Sequence, residues 1–301
     1  MSSTKSSTTP TTTSLAPPPQ LFVGINRTYA AIWYCAFCLF SIFLHITFIL
    51  GARKLYGWKS NFSFTLLLFV SAMGLTRFIV QLTASLTALF YMDWEKYQKF
   101  WIFLGSLMIA PYFTMVLLNL AIALHRLLYT AYPSTASNLM KQTVAKAITL
   151  IIGIIFILIV VMFNTELVGM RWVDSLMSWA SMTSRNYLLV RVLNKTSNYA
   201  IGVVNFLIYA VLLLILAKRK ILSLKRNREI RMTIQVLCMA VCEMLFFLYW
   251  ELWNMTGHGV WDLVVAETSS LLFYDVLVLP YLILNGQIHA ELRRLIDQFD
   301  S

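Results

Sequence analysis

Charge is the scarcest commodity in this chain: Asp, Glu, Lys and Arg make up only 12% of the residues, against 59% apolar residues and a mean hydropathy of +0.72. Soluble domains carry about 25% charged residues, so an ordinary water-facing surface cannot be built from this composition. Cysteine occurs only four times, with Cys35 and Cys38 in one apolar run and Cys238 and Cys242 in another. Such placement suits small buried apolar residues and not a disulfide framework, and neither pair has His or acidic companions at metal-ligand spacing. The histidines, His45, His125, His258 and His289, are scattered over separate elements. HExxH, a glycine-rich phosphate loop and a GxSxG elbow are missing. Without them the chain reads as a non-enzyme with no metal and no cofactor.

What the chain does have is apolar length. Stretches near 29–51, 62–90, 100–124, 145–165, 199–217, 232–254 and 263–285 each approach the roughly 20 apolar residues that let a helix cross a bilayer with its backbone satisfied internally. The pattern is helical throughout, and no strand-like alternation competes with it. The expected fold is an all-α membrane protein, a seven-transmembrane helix bundle with a short C-terminal amphipathic helix. Residues 1–27 form a Ser/Thr/Pro-rich extracellular tail that cannot bury a core and is suited to O-glycosylation, residues 28–286 the bundle, and residues 287–301 a cytoplasmic helix and tail. No cleaved signal is evident, so the first span is expected to act as an uncleaved anchor. In the last segment Ile288, Leu292, Leu295, Ile296 and Phe299 recur at helical spacing beside Arg293 and Arg294, which fits a helix lying on the inner leaflet.

The net charge of +11 does not indicate nucleic acid, because the basic residues are sorted by loop. With the N-terminus outside, 15 of the 24 Lys and Arg face the cytoplasm, as the positive-inside rule requires. The largest cluster, Lys218, Arg219, Lys220, Lys225, Arg226, Arg228 and Arg231, separates the fifth and sixth stretches and suits anionic lipid of the inner leaflet. The same orientation places the glycosylation triplets at Asn26, Asn194 and Asn254 outside and the one at Asn61 inside. The longest connection, 166–198, carries Trp172, Trp179 and Tyr187. Folding back as a lid and resting at the outer interface are both open to it.

The run LNLAIALHRLLYTAYP, ending at Pro133, resembles the end of the third helix of rhodopsin-like G-protein-coupled receptors, where the arginine of an Asp-Arg-Tyr motif precedes a loop proline by the same interval. The seventh stretch, with Asp275 and Pro280 before a polar break and an amphipathic helix, is similar to that family's Asn-Pro-x-x-Tyr segment, although Leu279 stands at the Asn place and an aliphatic residue at the Tyr place. His125 replaces the family's acid, and the start of the third helix near Trp101 lacks the cysteine that ties it to the second outer loop. These departures, the small size and the short inner loops look like the divergent nematode serpentine chemoreceptors of the class g superfamily.

The resemblance implies a receptor in the plasma membrane, and points to a sensory cilium, that captures a small-molecule ligand and signals through a heterotrimeric G protein, with Arg126, His125 and Pro133 at the coupling end. It also makes the second and seventh helices neighbours, so the buried Arg77 is expected to pair with Asp275, with Glu243 as second choice. No lysine lies between 262 and 286, which argues against a retinal Schiff base. Met108 falls where amine receptors place their carboxylate, and the third stretch has no acid, so biogenic amines are disfavoured as ligands. Tyr112, Phe246, Trp250, Tyr274 and Glu251 can line an aromatic cavity with one acceptor. A multi-pass transporter or ligand-gated channel is the alternative, since buried charges also mark permeation paths, but the halves show no inverted repeat. The charge bias and the triplets predict that a tag at residue 1 is reached by antibody on intact cells, whereas a tag at residue 301 is reached only after permeabilisation; the reverse labelling would exclude the receptor topology.

Overall fold

The computed structural model describes residues 22–55, 57, 61–92, 95–165, 168–181, 187–218, 227–252 and 261–299. The Ser/Thr/Pro-rich tail to residue 21, Asn254 and most of the basic cluster after Lys218 lie outside the described residues. Among these residues the chain forms α1 (Ile25–Ala52), α2 (Phe62–Leu89), α3 (Gln98–Ala131), a short α4 (Pro133–Leu139), α5 (Gln142–Phe163), a hairpin of β1 (Met170–Val173) and β2 (Ser178–Ser181), α6 (Tyr187–Tyr199), α7 (Phe206–Lys218), α8 (Asn227–Leu252), α9 (Asp262–Leu284) and α10 (Gly286–Phe299). A π-helical segment, Ala200–Asn205, joins α6 to α7 without a break.

Six helices among the described residues are long and apolar enough to cross a membrane, with α6 and α7 counted as one, which makes the chain an all-α, multi-pass membrane protein. α8 is of similar length, but its first turns carry Arg228, Glu229 and Arg231. The apolar surface supports the same class. On α5, Leu150, Ile151, Ile154, Ile157, Leu158 and Val161 all stand exposed, a face that water would not tolerate and lipid would. The helices run past several expected limits. α3 continues to Ala131 and stops where Tyr132 precedes Pro133, since the residue before a proline is driven out of the helical region. Pro133 then opens α4 at the one helical position where a missing N–H costs nothing.

α3 is the hub of the bundle, packing against α2, α5, α7 and β1, while α9 closes the other side against α1, α2 and α8. α10 lies along α1. Asn285 Oδ1 accepts from the backbone N–H of Gln287 at 3.0 Å and caps it, Ile288 is fully buried, and Glu291 sits 3.0 Å from Lys54 Nζ and 3.2 Å from Arg53 Nη2. Those cations hold the Glu291 carboxyl below its usual range, the Lys54 hydrogen bond first.

The expectation of helix alone is corrected at residues 170–181. β1 and β2 pair antiparallel with Trp172 opposite Trp179, and the two indoles pack edge to face at 5.6 Å. The turn between them holds Met177 in the left-handed region at φ 48°, with its side chain fully buried. Two bulky aromatics facing each other across a short ladder outweigh the weak local strand signal. The hairpin lies on α3 at Gly105, where an added Cβ would meet the Met170 carbonyl oxygen at 1.9 Å. Only a residue without Cβ permits that approach. Gly105→Ala should therefore destabilise the protein by about 1–3 kcal/mol through overpacking, read as a lowered unfolding midpoint in purified protein; an unchanged midpoint would show that the hairpin does not dock there.

Candidate functional site

The hairpin end of the bundle is organised by one buried cation. Arg77 on α2 is 1% exposed and forms an ion pair with Glu267 on α9, while its Nη1 donates to Gln81 Oε1 at 3.1 Å. The same Gln81 oxygen accepts from Trp179 Nε1 at 2.9 Å. One continuous polar path thus joins α9, α2 and the hairpin. Arg27 on α1 forms an ion pair with Asp174 in the hairpin turn and donates to the Ala88 carbonyl at 2.9 Å, and the backbone N–H of Phe22 reaches the Ser175 carbonyl at 3.0 Å. Burial pushes the Asp174 carboxyl above its usual range, against the pull of the Trp172 indole N–H and of Arg27.

This corrects the expected partner of Arg77. Asp275 instead accepts from Ser41 Oγ at 2.7 Å and lies 3.3 Å from His45 Nε2, and His45 Nδ1 meets Ser71 Oγ at 2.8 Å. The second choice is occupied elsewhere as well: Glu243 on α8 accepts from Asn119 at 2.6 Å and Asn205 at 3.1 Å. Glu267 lies two helical turns before Asp275 and on the same face, so helix spacing alone offered both. The long arginine side chain reaches the acid nearer the hairpin end, where the charged groups are less deeply desolvated.

Of the six residues expected to line a pocket, five are brought together by aromatic contacts and hydrogen bonds. Trp250 packs against Tyr112 at 6.3 Å, Phe246 at 5.5 Å and Phe273 at 5.2 Å, and Phe273 against Tyr274 at 6.3 Å. Tyr112 donates its hydroxyl to Asn198 Oδ1, and Asn198 Nδ2 donates to Glu251 at 3.1 Å. Met108 is buried in α3, one turn before Tyr112. Phe273 and Asn198 were missed, because an apolar aromatic in an apolar helix and a polar residue before the expected start of the fifth stretch carry no signal of their own.

At the α10 end, the Arg126 guanidinium lies over the Tyr281 ring at 5.1 Å, and one of its terminal nitrogens is buried without a hydrogen-bond partner among the described residues. His125 Nδ1 meets Ser63 Oγ at 2.7 Å and its ring packs on Tyr129. Pro133 is exposed at the start of α4. The aromatic partner of Arg126 is thus Tyr281, directly after Pro280. Asn26 stands at the start of α1 and Asn194 in α6, both exposed, while Asn254 lies outside the described residues. No group of His, Cys, Asp and Glu able to hold a metal is found among the described residues.

No protein-family model matches the chain, and no curated protein matches it. The polar geometry makes its own prediction. Arg77→Ala and Glu267→Ala should each cost about 3–5 kcal/mol, because either leaves an uncompensated buried charge, and the double variant should recover part of that loss. Asp275→Ala should instead add to Arg77→Ala. Folded yield and unfolding midpoint of the three single variants and of the two double variants that contain Arg77→Ala decide it, and coupling of Arg77 to Asp275 alone would sink the assignment.

Proposed function

We propose that the chain is a seven-helix G-protein-coupled receptor, with α8 as the sixth span, that binds a small molecule at the hairpin end and signals through a heterotrimeric G protein at the α10 end. The observation that carries this reading is the arrangement along α9. Phe273 and Tyr274 belong to the aromatic cluster, and Tyr281, about 12 Å further along the same rod at 1.5 Å per residue, lies under Arg126. A ligand that displaces α9 at one end therefore changes the surroundings of Arg126 at the other. That is the differential contact a population shift requires.

Three further features support it. Arg126 and Pro133 stand at the interval of the receptor family that the sequence resembles, and the nematode serpentine chemoreceptors share the missing cysteine. Arg126 is partly exposed, so its guanidinium can be reached by a protein docking at that end. The capped, amphipathic α10 beside Arg53 and Lys54 suits an anionic inner leaflet of the plasma membrane. Arg126→Ala should leave surface level unchanged and lower G-protein nucleotide exchange by about tenfold or more, the scale of losing a charge-assisted contact. Exchange at the wild-type rate, at matched surface level, would remove Arg126 from the coupling role.

A further inference from the structure

The aromatic cluster also has a charge preference. Trp250 on α8 touches Phe246 on its own helix, Tyr112 on α3 and Ser269 on α9, donating Nε1 to Ser269 Oγ at 3.2 Å, and each of the four remains partly exposed. These accessible side chains border the space between the three helices, with the buried Phe273 behind them. Glu251 is joined to the cluster through Asn198 and Tyr112. It accepts one hydrogen bond from Asn198, and among the described residues no Lys, Arg or His pairs with it. Arg191 and Lys195, the nearest cations along α6, are exposed. The buried cation of this end, Arg77, is already matched by Glu267. An anionic ligand would find Arg77 already matched, whereas a cationic one meets a carboxylate with no basic partner among the described residues and a set of π-faces, the combination that recognises ammonium groups in aromatic cages.

We propose that the crevice between α3, α8 and α9 binds an organic cation with an apolar body, its charge set against Glu251 and the surrounding rings. The acid comes from α8, so this differs from the arrangement with a carboxylate on the third helix. The inference deepens the receptor reading and rests on it for its signalling meaning, but its binding test stands alone.

The full chain in lipid nanodiscs is titrated with tetraethylammonium and phenyltrimethylammonium, with tert-butylbenzene as the neutral isostere and benzoate as the anion, and the unfolding midpoint is followed. A saturable rise with the cations and none with the other two is expected. Glu251→Gln and Trp250→Leu should each weaken the cation by about tenfold or more, and Glu251→Asp should restore most of it. Equal stabilisation by tert-butylbenzene, undiminished cation binding by Glu251→Gln, or no binding of either cation overturns the inference. G-protein nucleotide exchange on the same nanodiscs separates the two readings. Cation binding with no exchange leaves the site standing and removes the receptor, while exchange that depends on Arg126 without cation binding does the reverse.

Discussion

A guanidinium held in an apolar bundle must be neutralised within the protein, because the surrounding medium supplies neither water nor counter-ions, and Arg77 meets that demand by committing two other elements, α9 and the hairpin. Its pair with Glu267 fixes α9 against α2, and its bond to Gln81 orients the amide oxygen that receives Trp179. The hairpin is then placed by a residue it never touches. From there the order extends to α1, since the hairpin turn holds Asp174 for Arg27 and Ser175 for the backbone of Phe22. Removing the central charge would leave Glu267 buried alone and Gln81 free to rotate, which is why a buried pair resists partial loss more than it adds net stability.

Where the resembling receptors tie the third helix to the outer loop through a cysteine, this chain has Trp101 packed on Trp179 at 6.2 Å, with Trp172 behind it at 5.6 Å. Aromatic pairs of this kind are worth about 0.5–1.5 kcal/mol beyond their buried area, less than a covalent bridge typically contributes. The hairpin is therefore a packed cover and not a bolted one. The Arg27–Asp174 pair, whose side chains are only 17% and 8% exposed, ties the turn of that cover to α1.

Apolar periodicity made the helices legible, since a run of about 20 apolar residues has one stable outcome in lipid. The hairpin was not legible. Its two strands are four residues each, too short for alternation to register, and they are held by long-range partners, Gly105, Gln81 and Trp101, that no local pattern announces. At the site, Tyr112, Phe246, Trp250, Tyr274 and Glu251 were readable as an aromatic set with one acid because such residues are costly or conspicuous inside spans. Pairing was not readable. Arg77 had Asp275, Glu243 and Glu267 within the same chemistry, and only depth along α9 distinguishes them, a quantity that spacing in one helix does not contain.

The polar contacts tie the helices into two groups. α1, α2, α3 and α9 are joined by Arg77 with Glu267, by Asp275 with Ser41, and by His125 with Ser63. The described part of α8 accepts at Glu243 from Asn119 and Asn205 and at Glu251 from Asn198, and donates from Trp250 to Ser269 of α9; Asn198 and Asn205 lie in the continuous helix formed by α6, the π segment and α7. The π segment is itself a defect in the helical ladder, of the kind found at functional sites, and its Gly202 lets Phe247 of α8 approach closer than any Cβ would allow. α8 thus rests on the irregular part of its neighbour, and the rings of Phe246 and Trp250 against Phe273 couple it to α9.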